Sequence, residues 1–162
     1  MKTISLRSTL GSCALDVDQQ WTSLSDSKIG ARPVPAKILI AEDNSFMRLR
    51  IRQLLEKHPD WEICGEAHDG EEAIRLAEEL SPDIVVMDFL MPEMNGVLAA
   101  RKLAEREPGI PVLLFTLYIS RALAQEARNA GLSGAVSKLS SNQLVEGVEA
   151  LLKGQTYFPL SA

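Results

Sequence analysis

The sequence predicts a doubly wound α/β domain on a five-stranded parallel sheet, and three observations carry that prediction. Between Lys37 and Lys153, short apolar runs alternate five times with segments of helical period. The bodies of three runs, residues 38–41, 84–87 and 112–115, are continuously apolar, as strands covered on both faces are. Helix breakers stand between the units at Ser81-Pro82, Pro108-Gly109 and Gly131, and Gly154 lies just past the last helix. Five β–α units in series form right-handed crossovers around a parallel sheet.

The elements follow in order. Residues 37–41 (KILIA) form the first strand. Asn44 is the N-cap of a helix to Lys57, with Met47, Leu49, Ile51, Leu54 and Leu55 approximating one apolar face. Residues 61–67 are the second strand, and 70–80 a helix with Ala73, Ile74 and Ala77 turned inward. The third strand spans 83–87 (DIVVM), followed by a helix over 96–107. A fourth strand over 110–115 leads to a helix over 120–130, and a fifth over 134–137 to a last helix over 140–153.

Residues 1–36 differ. They are rich in Ser and Thr, show no sustained period, and end in Pro33 and Pro35, which hold their neighbours extended. They read as a flexible N-terminal extension with a short helix around 14–24, or as the product of a misassigned start codon. The expected domain is 37–154, and 155–162 is a C-terminal tail.

Composition narrows the function. With 46% hydrophobic but only 5% aromatic residues, the core must be built from Ile, Leu, Val, Ala and Met. The formal net charge is −5 and no basic cluster tracks a phosphate backbone, so no direct nucleic-acid partner is expected. Cys13 and Cys64 lie far apart, and His58 and His68 flank Cys64 without paired ligands, which reads as reduced thiols rather than a zinc site. No run approaches the roughly 18 apolar residues of a membrane span. Arg7 interrupts the one candidate signal segment, and Leu10-Gly11-Ser12-Cys13 lacks the apolar stretch that would make it a lipoprotein box. The expectation is a cytoplasmic chain with no membrane partner.

In an open parallel sheet, ligands collect beyond the carboxyl ends of the strands. Glu42 and Asp43 follow the first strand, Asp88 the third, Thr116 the fourth and Lys138 the fifth. Three carboxylates in one crevice repel each other, and a hard divalent cation such as Mg²⁺ relieves the repulsion. Lys138 adds a second positive charge, so the site has the parts to receive an anionic phosphoryl group. Asp88, ending the central strand, is the best nucleophile, because a carboxylate that attacks phosphorus forms an acyl phosphate. Pro92 and Asn95-Gly96 supply the tight turn that follows it. Thr116 is placed to hydrogen-bond a phosphoryl oxygen. Any one of these residues alone reads as a solvated strand end or a helix cap; their joint occurrence at successive strand ends carries the argument.

Glu42-Asp43 after KILIA, the segment DIVVMDFLMPEMNG over 83–96, Thr116, and Lys138 in GAVSK together resemble the receiver domain of bacterial two-component response regulators. The resemblance covers residues 37–153 and implies a flavodoxin-like strand order 2-1-3-4-5. It implies phosphotransfer to Asp88 from a sensor histidine kinase or phosphotransfer protein, in a signalling switch rather than a turnover enzyme. Mg²⁺ would be held by Asp43, Asp88 and the backbone carbonyl of Leu90, with Glu42 acting through water. Thr116 would be the switch hydroxyl and Lys138 the cation that pairs with phosphate. Output would pass to a downstream protein target, or a homodimer, through the fourth and fifth helices and the fifth strand.

The segment from Lys138 through Phe158 is similar to the nitrate-response-regulator subfamily, whose members continue into a helix-turn-helix domain. The few residues left here imply a stand-alone receiver or a piece of a longer protein. Three positions depart from the family pattern: Ala135 replaces an aromatic residue, Leu139 a proline that follows a cis bond, and Leu117 a small residue. Leu90 and Tyr118 flank the expected site and would slow hydrolysis of an acyl phosphate. Two rival readings remain. Phosphatases of the haloacid dehalogenase type need an acid two residues after the nucleophile, where Leu90 stands. A pseudo-receiver, folded but never phosphorylated, draws on Ala135 and Leu117.

Overall fold

A computed structural model describes residues 34–159. The expected extension with its short helix, and Cys13, lie outside the described residues apart from the last three positions of the extension. Ten elements alternate: β1 (Ala36–Ala41), α1 (Ser45–Leu55), β2 (Trp61–Ala67), α2 (Gly70–Leu80) and β3 (Ile84–Asp88), then α3 (Gly96–Arg106), β4 (Val112–Thr116), α4 (Arg121–Asn129), β5 (Gly134–Ser137) and α5 (Ser141–Leu152). All strand pairs are parallel, in the order β2-β1-β3-β4-β5, which is the flavodoxin-like topology expected. No helix among the described residues is long and apolar enough to cross a membrane.

The alternation of side chains along a strand builds two cores. Leu39, Val85, Met87, Leu114 and Ala135 face α2, α3 and α4. Ile38, Ile40, Val86, Leu113, Phe115 and Val136 face α1 and α5. Each fully buried aliphatic side chain contributes about 1.5–3 kcal/mol, so the strands are the main source of cohesion. Every helix opens on a side-chain cap: Asn44, Asp69, Asn95, Ser120 and Ser140 each accept from the backbone N–H three residues on.

Several expectations shift by a residue or two, for physical reasons. β1 starts at Ala36 rather than Lys37, since the Ala36 N–H finds Asp60 O at 2.8 Å. β4 starts at Val112, two residues late, because Pro111 has no N–H for the ladder and offers only its carbonyl, to Val85 N–H at 3.0 Å. β3 and β4 each run one residue further than expected, so Asp88 and Thr116 end their strands instead of following them. On α1, Leu49 faces solvent, because 100° per residue places it opposite Met47 and Ile51. The described part of the expected tail, 155–159, joins the sheet: Gly134 and Tyr157 form a parallel bridge on the outer edge of β5.

Gly96 serves closeness rather than turn geometry. A Cβ there would lie 2.1 Å from the Asp88 carbonyl oxygen, while its N–H donates to Phe89 O at 2.9 Å. The strained position of the loop is Glu93, at φ +65°, and Asn95 caps α3. Gly96→Ala must therefore push α3 off the end of β3. Urea unfolding should show a loss of about 1–3 kcal/mol, near the upper end because the clash is with backbone. Gly109→Ala, where a Cβ meets open space but φ is +110°, serves as the strain-only control.

Candidate metal and phosphoryl site

The carboxyl ends of β1, β3 and β5 deliver charges to one point. Lys138, the first residue after β5, places Nζ 2.6 Å from Glu42 Oε2 and 2.8 Å from Asp88 Oδ2. The three side chains are 6%, 2% and 6% exposed. Asp43 is exposed, and a carboxylate oxygen from each of Glu42, Asp43 and Asp88 lies within 4.8 Å of the others. An acid from β3, an acidic pair from the β1–α1 junction and a lysine from the β5–α5 junction therefore share one pocket.

The local backbone is held from several sides. Glu42 N–H donates to Ala67 O at 3.0 Å, extending the β1–β2 ladder past the last strand residue. Arg48, one turn into α1, reaches back to donate to Glu42 O at 2.6 Å and to Asp43 O at 3.4 Å. That contact was not legible in the sequence, where Arg48 is one of several arginines on an amphipathic helix. Asp88 is paired in register with Phe115, and Thr116 with Ser137, so the backbone of both is fixed by ladder bonds. Lys138 N–H donates to Thr116 O at 2.8 Å, which ties the ends of β4 and β5 together.

Electrostatics mark the pocket as unfinished. Burial pushes the Glu42 carboxyl above its ordinary range, and the Asp88 charge adds to that push; Lys138 and the Asn44 N–H oppose it. Glu42 Oε2 is buried, and the cation beside it is the Lys138 ammonium at 2.6 Å, which it shares with Asp88. A buried carboxylate that shares its one cation, beside two more carboxylates of which one is open to solvent, is a donor set that suits a hard divalent cation.

The remaining expected residues are placed as follows. Thr116 is buried at the end of β4, and its hydroxyl accepts the Tyr118 N–H at 3.2 Å. Leu90 lies two residues past Asp88 in the β3–α3 loop, 55% exposed, and Tyr118 in the β4–α4 loop is 71% exposed. The Lys138–Leu139 peptide is trans. His58 stacks on Trp61 with ring centroids 4.1 Å apart, His68 pairs with Glu72, and Cys64 lies half-buried in β2, so these three residues have separate surroundings.

Comparison with known proteins agrees with this geometry. The chain is 31% identical to the transcriptional regulatory protein DegU of Brevibacillus brevis over 122 residues, 75% of this chain and 52% of that protein. It is 38% identical to the transcriptional regulatory protein PdtaR of Mycobacterium tuberculosis over 117 residues, 72% of this chain and 56% of that protein. The chain thus spans about half the length of these curated relatives. Among solved structures, a LuxR-family two-component response regulator from Aurantimonas superposes with a TM-score of 0.74 at 37% identity, covering 76% of this chain and 89% of that one. The signal receiver domain of a response regulator described as NarL, from Mycobacterium tuberculosis, gives 0.72 at 27% identity, covering 76% and 100%. The family profile for the response regulator receiver domain matches residues 38–149, and with the strand order and the acidic cluster it places this chain in the receiver-domain family of two-component response regulators.

Proposed function

We propose that Asp88 accepts a phosphoryl group from a sensor histidine kinase or a phosphotransfer protein, in a site that holds Mg²⁺. The observation that carries this reading is the single ammonium of Lys138 shared by two buried carboxylates at the ends of separate strands, with a third carboxylate alongside. Asp88, Asp43 and the Leu90 carbonyl would hold the metal, with Glu42 acting through water. Mg²⁺ bound there supplies charge neutralisation for the oxygens of the incoming phosphoryl group.

Asp88 attacks phosphorus with one carboxylate oxygen. The O–P bond forms as the P–N bond to the donor imidazole breaks, and the electron pair leaves with the imidazole. Lys138 balances the growing negative charge, and Thr116 donates its hydroxyl to a phosphoryl oxygen. The position of Leu90 bears on substrate class: no acid stands there to protonate a poor leaving group, so donors with good leaving groups are favoured over stable phosphoesters. Within the family, the similarity to the NarL receiver domain supports the nitrate-response-regulator-like reading. Output through a protein target, or through a homodimer on the α4–β5–α5 face, belongs to the same proposal.

Incubation with acetyl phosphate and Mg²⁺ should add the mass of one phosphoryl group, seen by intact mass spectrometry. Asp88→Ala or chelation by EDTA should abolish the gain; a wild-type chain that stays unmodified would identify a pseudo-receiver. Lys138→Ala strips two buried carboxylates of their shared cation. With metal chelated, thermal or urea unfolding should show a loss of about 3–5 kcal/mol, and Mg²⁺ should restore much of it. The exposed side chains of Leu90 and Tyr118 screen the acyl phosphate from water, so Leu90→Ser with Tyr118→Ser should shorten the phosphoprotein half-life several-fold. An unchanged half-life would remove the screening role.

A further inference from the structure

We propose that residues 155–159 form an intramolecular strap across the outer edge of β5, and that phosphorylation of Asp88 releases it by moving α4. The inference rests on the phospho-acceptor reading above and adds a regulated element to it. After α5 the chain reverses at Gly154, at φ +74°, and Gln155 N–H donates to Ala150 O at 2.9 Å. Tyr157 then joins the sheet edge: its N–H donates to Ser133 O at 2.9 Å, and its carbonyl accepts the Ala135 N–H at 3.0 Å.

The strap grips both faces of the sheet. Tyr157 packs on the α1/α5 core, and its hydroxyl donates to the Glu146 carboxylate on α5; burial, together with that bond, pushes the phenol up to about 12. Phe158 turns to the other face and packs on the cluster that holds Leu123, Ala127, Leu132 and Ala135. The Arg128 guanidinium of α4 covers its ring at 4.1 Å. With only a methyl group at Ala135, β5 itself puts no bulky side chain on that face beside α4, where Phe158 packs.

One rod joins this strap to the site. α4 has nine residues, buries only Leu123, Ala124 and Ala127, and packs chiefly on β5. Its N-cap, Ser120, lies four residues beyond Thr116, and Arg128 sits in its last turn. The intervening loop is tied by the Tyr118 N–H to the Thr116 hydroxyl. Thr116 lies one residue beyond Phe115, the ladder partner of Asp88. A phosphoryl group on Asp88 draws that hydroxyl toward its oxygens, the loop follows, and α4 carries Arg128 away from Phe158. Release then bares Ser133 O and the Ala135 N–H on the edge of β5. Coupling is reciprocal, so the docked strap must in turn oppose occupancy of the phosphoryl site.

Hydrogen exchange on the full chain tests this, with intact mass read on the same samples. Peptides covering 133–137 and 155–159 should be protected together in the untreated protein and exchange faster together once acetyl phosphate and Mg²⁺ have added a phosphoryl group. A mass gain with unchanged exchange in both would overturn the strap coupling and leave the Asp88 reading standing. No mass gain would remove the Asp88 reading, and this proposal with it. At equilibrium, Phe158→Ala and the surface change Arg128→Ala should each tighten binding of the phosphoryl mimic beryllofluoride with Mg²⁺ by about 5-fold; wild-type affinity in both variants would sink the strap.

Discussion

The shared ammonium of Lys138 is the constraint around which the rest of the molecule is arranged. At 2.6 and 2.8 Å from Glu42 and Asp88, it gains about 6 kcal/mol of gross Coulomb energy per contact at an effective dielectric near 20. Burying each ion costs several kcal/mol, so the cluster comes close to breaking even as a stabilising device. An apolar trio of similar volume would hold the strand ends as well or better. Three acids against one base also leave two negative charges uncompensated, the charge of one divalent cation. The cluster is therefore a poor stabiliser whose charge suits a divalent cation.

Such a cluster needs backbone that does not yield when charge arrives. Asp88 and Thr116 end their strands inside the ladder, which fixes their Cα positions. Gly96 brings the start of α3 against the Asp88 carbonyl, closer than any side chain would allow. Arg48 holds the carbonyls of Glu42 and Asp43 from below, so the acidic pair cannot relax outward as their charges repel. The polar mouth is stiff because the apolar strand bodies beneath it are fully buried on both faces.

Most of this was legible in the sequence because two strong periodicities and the helix breakers coincide. The strand bodies, the inward face of α2 and the convergence of Glu42, Asp43, Asp88 and Lys138 follow from pattern and from the geometry of parallel sheets. What escaped depends on through-space facts that no local pattern encodes. The β1–β2 register shifts between Ile38 and Leu39, which makes Cys64 an extra residue that alternation cannot show. The strand ends moved by one residue because ladder pairing, not hydropathy, decides them. Gly96 looked like a turn residue, since sequence carries no sign of which backbone will press against a missing Cβ. Tyr157 and Phe158 look like tail in the sequence, because one bridge at a sheet edge leaves no periodic trace.

The two ends of α4 bring these threads together. Its N-terminal loop depends on one hydrogen bond to a hydroxyl beside the phosphoryl pocket, and its last turn carries the guanidinium that covers Phe158. A helix that buries three small or medium side chains has little apolar area resisting a shift, whereas the strands on either side of the site are locked. Charge placed on Asp88 therefore meets rigid backbone at β1, β3 and the β5 junction, and a compliant element only beyond β4. On the proposed phosphotransfer to Asp88, strain at the pocket would be relieved along the softest path open to it, through Thr116 and α4 to the edge of β5.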